Sequence, residues 1–353
     1  MLKSLTKVIK HSFPFYLRNG KTNKENRLTK NLKIILNYYL GPLIFVFLSF
    51  SLYRQIAHRP NLEIQWNLIK ASTTTVKLWG IVFLMFLNWG IEAKKWQLLI
   101  NHIQQFSFYR AFKSVLAGCS ITMLTPNRIG EFGGRIIYVE NLNRIKAVSL
   151  TIVGSISQLL VTLLMGCMGL VYFKYFSTND DNILGVLPHF WQSFILSISV
   201  GVTLVVLLFY LRLGWLVKLL EKLPALQNFI QHINVLQEFN NMQLIQILSL
   251  SCIRYLVFVL QYVLLLQVMD VQIAGLLSFM LITIFYLFMA VVPTFGFIEL
   301  PVRVSASWAI LKLYTVNELG VGSVALGIWI INLVIPALIG SLLILSNKIV
   351  REK

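Results

Sequence analysis

The stretch "IQILSLSCIRYLVFVLQYVLLLQ", residues 245–267, decides the fold class of this chain. It is apolar almost throughout and carries a single charged side chain, Arg254. A helix of about twenty apolar residues spans the hydrocarbon core of a bilayer, whereas a surface helix of a soluble protein carries a polar face. The stretch therefore predicts a transmembrane helix with an arginine near its middle.

The composition of the whole chain extends this prediction. Of its 353 residues, 57% are hydrophobic and only 12% are charged, whereas about a quarter of an average soluble domain is charged. Apolar runs predict six spans, near 36–54, 75–92, 148–173, 193–212, 246–268 and 320–346. We therefore expect an all-α polytopic membrane protein with a single transmembrane domain, residues 36–347, and no soluble domain.

Basic residues precede the first apolar run. Nine Lys and Arg residues lie there, within a chain whose net charge is +18. Since positive residues stay on the cytoplasmic side of a membrane, residues 1–35 are predicted to form a basic cytoplasmic tail, and no nucleic-acid partner is expected. A second interpretation, in which "LTKVIKHSFPFYL" lies on an anionic lipid surface, stays open. The C-terminal residues 348–353 are also predicted to be cytoplasmic, in a bacterial-type inner membrane.

Two further apolar segments, 107–125 and 274–292, lead into related polar stretches. These are "LTPNRIGEFGGR" (124–135) and "VPTFGFIELPVR" (292–303), each with a proline, a glycine and a glutamate followed four residues later by an arginine. Spans and motifs recur at a separation of roughly 170 residues, which indicates an internal duplication. The predicted repeats are about 36–173 and about 193–346.

The distribution of Lys and Arg predicts the topology. Six full spans plus two re-entrant hairpins, entering from opposite faces, keep the basic loops on the side of the N-terminal tail. Because each half then has an odd number of full spans, its copy must be inverted. The alternative of eight full crossings would place the basic segment 135–146 outside.

The motifs supply the candidate site. Prolines interrupt helices, and glycines allow two backbones to approach closely. An interrupted helix at membrane depth leaves backbone N–H and C=O groups unpaired, which is tolerated where protein or a water-lined cavity supplies hydrogen-bond partners. Half-helix N-termini and guanidiniums both suit an anionic headgroup. We therefore predict a substrate-binding site made of Pro126, Arg128, Gly130, Glu131, Arg135, Arg254, Pro293, Gly296, Glu299 and Arg303.

The charged members of the site need partners. Two pairs have the i,i+4 spacing of a helical ion pair, Glu131–Arg135 and Glu299–Arg303. Their arginines could bind a headgroup, or their carboxylates could carry protons. The alternative is that the two residues of each pair only neutralise each other. Arg254 is expected to pair with Glu131 or Glu299, unless it lies at a span edge and reaches the interface. Glu92 is expected to be solvated at the end of its span.

The sequence offers no pattern for a metal, a cofactor or a catalytic residue. The five histidines have no i,i+4 pairing, the three cysteines are scattered singly, and no P-loop or D-x-D motif is present. Neither a metal ion nor a cofactor is therefore expected.

The motif stretches resemble one known family. "FYRAFKSVLAGCSITMLTP", "TPNRIGEFGGR" and "VPTFGFIELPVR" are similar to the lysylphosphatidylglycerol synthase transmembrane-region family of flippase-like proteins, over about residues 35–347. The resemblance implies lipid handling, with Pro126, Gly130 and Glu131 and their counterparts in the second motif at the site. No soluble synthase domain follows the last span, so synthesis of an aminoacyl lipid is not expected. Many members carry an acidic–basic pair early in the helix that follows the first motif. At that place this chain has "VGSISQLLVTLL", in which only Gln158 stands in place of the charged pair.

The expected function is that of a lipid translocase. An anionic or zwitterionic headgroup would enter a midplane cavity between the two hairpins while the halves rock against each other. The alternatives are a membrane-embedded transferase with Glu131 or Glu299 as general base, and a non-transporting scaffold of the cell envelope. The expected partners are a membrane lipid and the bilayer itself, and a homo-oligomer stays open.

Overall fold

The structure, a computed structural model, describes residues 76–123, 125, 129–177, 188–221, 233–292 and 296–345, together with Val46 and Phe50. Apart from Val46 and Phe50, the predicted span 36–54 lies outside the described residues, as do both predicted tails. So do three predicted site residues, Pro126, Arg128 and Pro293.

Every regular element in the described ranges is helical. The α-helices are α1 (Val76–Ile100), α2 (Phe108–Thr122), α3 (Gly130–Ile136), α4 (Arg144–Tyr175), α5 (His189–Leu211), α6 (Leu213–Glu221), α7 (Asn241–Val268), α8 (Gly275–Val291), α9 (Gly296–Leu311), α10 (Glu318–Trp329) and α11 (Ile335–Leu345). Short 3₁₀ turns precede α4 and α7, and a π-helical turn, Ile330–Val334, joins α10 to α11.

Within the part of the chain that the structure describes, five helical segments are long and apolar enough to cross a membrane. They are Val76–Ile100, Asn141–Tyr175, His189–Leu211, Asn241–Val268 and Glu318–Ile344. Each coincides with one predicted span, so the protein is an all-α polytopic membrane protein. The first of them extends well beyond its predicted end at residue 92, because the helix continues through charged residues that hydropathy excludes.

Glycines hold the first hairpin, α2 and α3, together. A Cβ on Gly134 would lie 2.4 Å from the Cα of Gly118, and one on Gly130 would lie 2.3 Å from the carbonyl oxygen of Ile121. Only glycine permits this distance, so the backbones of α2 and α3 are in direct contact. The Oγ1 of Thr125 also accepts a hydrogen bond from the backbone N–H of Gly130 at 2.7 Å. The predicted role of Gly130 in close approach is confirmed.

The first helix of each hairpin packs on the last span of the other half. Helix α2 lies along α11, where the hydroxyl of Ser120 donates to the carbonyl of Ala337 and a Cβ on Gly340 would overlap the backbone of α2. Helix α8 lies along α4, where a Cβ on Gly169 would be 2.3 Å from the Oγ1 of Thr283. Helices α1 and α7 pack on each other between these pairs. Reciprocal packing of this kind is what two related halves produce, and the inverted repeat itself stays a prediction.

The second hairpin differs in its second helix. Helix α9 has 16 residues, against 7 in α3, and contains Pro301 within its second turn. It packs against α10 as well as α8. The two motifs are therefore followed by helices of different length and surroundings.

Candidate functional site

A buried glutamate, Glu92, lies at the centre of the polar interior. One of its carboxylate oxygens is 2.8 Å from the Nζ of Lys95 and 2.8 Å from the Nη1 of Arg254, and the other is 2.5 Å from the Nη2 of Arg135. Its side chain is only 3% exposed. These three cations come from α1, α7 and α3, so a single carboxylate joins two spans and the first hairpin. Together with Glu131, these residues form what we call the Glu92 cluster.

The prediction that Glu92 is solvated beside its lysines is wrong. Helix α1 continues to Ile100, which places Glu92 two turns inside the helix. Lys95 is buried, 1% exposed, whereas Lys94 does face outward. A usable signal was present in the sequence: Asn88, Glu92 and Lys95 lie one turn apart and so share one face of an otherwise apolar helix.

Arg135 connects the first motif to this cluster. Its Nη2 bonds both Glu92 and Glu131, so the predicted i,i+4 ion pair of the first motif is confirmed. The guanidinium also lies over the ring of Trp96, 5.2 Å from its centroid. The side chain of Arg135 lies close against α2, because a Cβ added to Gly118 would be only 3.1 Å from the Cγ of Arg135. The packing of α3 on α2 therefore fixes the direction of Arg135.

Arg254 is buried near the middle of α7. Its Nε donates to the Oδ1 of Asn88 at 2.8 Å, and its guanidinium lies near the rings of Trp89 and Phe258. The interpretation that placed Arg254 at a span edge is therefore wrong. Its observed ion-pair partner is Glu92 rather than the Glu131 or Glu299 that we expected. A carboxylate at this depth offsets the cost of an arginine in the span, about 2.5–3.5 kcal/mol on insertion scales.

Two amides orient Arg254. The Nδ2 of Asn88 donates to the Oδ1 of Asn332 at 3.0 Å, which leaves the Oδ1 of Asn88 to accept from the arginine. Asn332 lies in the π-helical turn between α10 and α11, and such turns are frequent at functional sites. Asn332 was not predicted as a site residue, although it is the one polar side chain in "GIWIINLVIPALIG".

Serines and a glutamine surround the other side of the cluster. The Nζ of Lys95 donates to the Oγ of Ser251 at 3.3 Å, and Ser251 contacts the hydroxyl of Ser157 at 2.7 Å. The side chain of Gln158 reaches the Nη1 of Arg254 and the backbone of Ser251, each at 3.5 Å. Gln158 thus approaches the cluster without contributing a charge.

A small cavity opens beside the cluster. Its volume is about 30 Å³, and it is lined by Trp89, Val115, Cys119, Thr122, Glu131 and Arg254. This is room for about one or two water molecules rather than a headgroup. The indole Nε1 of Trp89 is buried and has no hydrogen-bond partner among the described residues. A larger open groove of about 420 Å³, at Gln267, residues 270–274 and Lys77, shares no residue with this cavity.

The second motif contains its own ion pair. Both the Nε and the Nη2 of Arg303 bond one carboxylate oxygen of Glu299, at 2.9 and 2.8 Å, so the second predicted ion pair is also confirmed. The carbonyl of Arg303 accepts from Ser307, whose hydroxyl lies 2.6 Å from that of Tyr262. Neither Glu299 nor Arg303 is among the residues that line the small cavity.

The predicted residues are therefore divided between two places. Glu131, Arg135 and Arg254 meet in the Glu92 cluster, whereas Glu299 and Arg303 pair on α9. Gly130 and Gly296 begin α3 and α9. The described ranges contain no group of three His, Cys, Asp or Glu residues placed to hold a metal ion.

Comparison with known families gives one match. The pattern described as "Lysylphosphatidylglycerol synthase TM region" matches residues 39–340, which is most of the chain. The chain belongs to the lysylphosphatidylglycerol synthase TM region family. The matched range of this family member includes both motifs and the whole Glu92 cluster. None of the curated proteins and none of the solved structures compared with the chain matches it.

Proposed function

We propose that this chain is a lipid translocase that binds an anionic or zwitterionic phospholipid headgroup at the Glu92 cluster. One observation carries the proposal: a cluster of five charged side chains, most of them buried, lies in the interior of a membrane domain and lines a cavity. Membership of a family named for a lipid synthase supports lipid handling. A bacterial-type inner membrane, with both termini cytoplasmic, belongs to the same proposal.

The charges favour binding of an anion. The Glu92 cluster combines three cations with two carboxylates and so keeps one positive charge in excess. Burying charges costs several kcal/mol per ion even when they are paired, and an apolar interior of the same shape is often as stable. A positive charge retained at this depth therefore supports a site that receives a negative group.

Translocation requires the cavity to widen. At about 30 Å³ it is too small for a headgroup, so a second arrangement of the helices must exist for the proposed cycle. Movement of the α2–α3 hairpin and α11, relative to α1 and α7, would open the cavity on one side. Rocking of two halves about a central site is the usual route to alternating access.

The direct test is lipid movement in reconstituted vesicles. Vesicles would contain fluorescent phosphatidylglycerol or phosphatidylcholine, and a membrane-impermeant quencher would report label in the outer leaflet. We expect the protein to accelerate exchange and Arg254→Gln to reduce it to the rate of protein-free vesicles. Arg212→Gln, which removes an exposed arginine at the end of α5, is the matched control and should leave exchange unchanged. Wild-type protein that moves neither lipid would overturn the proposal.

A further inference from the structure

We propose that Glu131 is a displaceable counter-ion, whose carboxylate occupies the place that the phosphate-ester group of a lipid headgroup takes on Arg135. On binding, the headgroup replaces this carboxylate, which turns toward the exposed side of the hairpin. This inference rests on the proposed function and names the chemistry of its substrate, a phosphodiester anion.

The two carboxylates on Arg135 are not equivalent. Glu92 is 3% exposed and contacts three cations, whereas Glu131 is 25% exposed and has one ion-pair partner, Arg135, among the described residues. Removal of Glu92 would leave three buried cations together, but removal of Glu131 breaks a single contact at the edge of the cluster. Glu131 is therefore the carboxylate that can leave.

The cavity lies where the replacing group is needed. Glu131 and Arg254 both line it, so an anion that takes the place of Glu131 lies between two guanidiniums, those of Arg135 and Arg254. The buried indole N–H of Trp89, which also lines the cavity, lacks an acceptor among the described residues. Within the guanidinium of Arg135, the buried Nε also has no hydrogen-bond partner there. These two unused donors, together with the guanidinium of Arg254, favour a group with several acceptor oxygens, as a phosphodiester has.

The packing of the first hairpin requires that the side chain of Glu131 moves during the exchange while its backbone stays in place. Because α3 packs on α2 through Gly118, Gly130 and Gly134, the backbone of Glu131 has little room to move inward. Its side chain is free to rotate outward, since a quarter of it is already exposed. The exchange of one carboxylate for one phosphodiester also leaves the charge of the Glu92 cluster unchanged, so no uncompensated charge is created at membrane depth.

Binding of soluble short-chain lipids tests the exchange. Purified full-length protein in neutral detergent would be titrated calorimetrically with dihexanoylphosphatidylglycerol, inorganic phosphate and uncharged dihexanoylglycerol. Glu131→Gln removes the competing charge, so we expect it to bind dihexanoylphosphatidylglycerol roughly tenfold more tightly than wild type, a change of about 1.4 kcal/mol. Affinity for dihexanoylglycerol should not change. Equal or weaker binding of the phospholipid by the variant would overturn the inference.

The controls separate the sources of the anion and the effect of misfolding. Glu140→Gln makes the same change at an exposed carboxylate that does not line the cavity, and it should leave affinity unchanged. If Glu131→Gln tightens binding of inorganic phosphate alone, the ligand is a soluble anion and the lipid assignment is wrong. If Glu131→Gln does not fold, Glu131→Asp keeps the charge but shortens the reach to Arg135, and it should also bind the phospholipid more tightly; no gain there would overturn the inference.

Failure of the inference differs from failure of the proposed function. If wild-type protein moves lipid between leaflets but Glu131→Gln binds no more tightly, the proposed translocase function stands and the counter-ion inference is wrong. If Glu131→Gln binds more tightly but no form of the protein moves lipid, the counter-ion inference stands and the proposed translocase function is wrong.

Discussion

The guanidinium of Arg254 on α7 lies 2.8 Å from the carboxylate of Glu92 on α1, and both side chains are buried. Helices α1 and α7 occupy equivalent places in the two predicted repeats and pack directly on each other. This ion pair therefore joins the two predicted repeats through the contact between α1 and α7. It also brings the lone arginine of the 245–267 stretch into the same cluster as the first motif.

Loss of Glu92 should be strongly destabilising. Glu92→Gln leaves Lys95, Arg135 and Arg254 with one remaining carboxylate, and breaking a buried ion pair by removing one partner costs about 3–5 kcal/mol. We expect a large fall in the thermal unfolding temperature of the detergent-solubilised protein. Glu318→Gln, at an exposed position at the start of α10, should change stability by no more than about 0.5 kcal/mol. A Glu92→Gln protein as stable as wild type would contradict the central role of Glu92.

Removal of both partners should cost less than the sum of the single changes. In the double variant Glu92→Gln, Arg254→Gln, one cation is removed together with the carboxylate that it contacts. A double-mutant cycle on unfolding free energies should therefore give a coupling of about 0.5–3 kcal/mol between the two positions, the range for groups in direct contact. Additive effects would show that the 2.8 Å contact contributes no coupling.

Gly134→Ala should disrupt the first hairpin. The added Cβ would lie 2.4 Å from the backbone of α2, so α3 must move and carry Arg135 away from Glu92. Overpacking of this kind costs about 1–3 kcal/mol or more. Gly133→Ala is a matched control on the same helix, because its Cβ would meet nothing within 4 Å. Thermal unfolding should separate the two variants, and equal stability would contradict the backbone contact.

Transport by Glu131→Gln should be slower in spite of tighter binding. If Glu131 returns to Arg135 to expel the headgroup, its loss slows release. Lipid exchange in vesicles should then saturate at a lower mole fraction of phosphatidylglycerol and at a lower maximum rate. Glu140→Gln, at an exposed carboxylate outside the cavity, should not lower the saturating mole fraction. A maximum rate equal to that of wild type would argue against a role of Glu131 in release.

Cysteine labelling should decide between hairpins and full crossings. Leu142, between α3 and α4, is 91% exposed, and Val316, between α9 and α10, is 98% exposed. In a background without native cysteines, Leu142→Cys should resist a membrane-impermeant maleimide applied from outside, whereas Val316→Cys should react. Eight full crossings would place both residues outside, so ready labelling of Leu142→Cys would exclude the first re-entrant hairpin.

The spans and ion pairs of the motifs could be predicted because their signals are local. An apolar run of about twenty residues is enough to indicate a membrane helix, and the i,i+4 spacing places Arg135 beside Glu131 on one helix face. Gly130 was also predictable, since a glycine after a break permits a close contact between helices.

The composition of the cluster depended on packing and could not be predicted in the same way. Glu92 follows an apolar run directly, and hydropathy alone ends the span there, although the helix continues to Ile100. Asn332 becomes part of the site only because a π-helical turn presents it to Asn88. The packing of α2 on α11 and of α8 on α4 also joins residues far apart in the chain, which no local sequence pattern reveals.

The packing of α2 on α11 also has a consequence for biosynthesis. Ser120 on α2 finds its acceptor, the carbonyl of Ala337, 217 residues later in the chain. At about 5–20 residues per second, a ribosome needs on the order of 10–40 s to make that interval. During this time the first hairpin is in the membrane without α11, and Glu92 lacks Arg254 for much of it. The order of synthesis therefore leaves these polar groups of α1 and α2 without their native partners until α7 and α11 have been made.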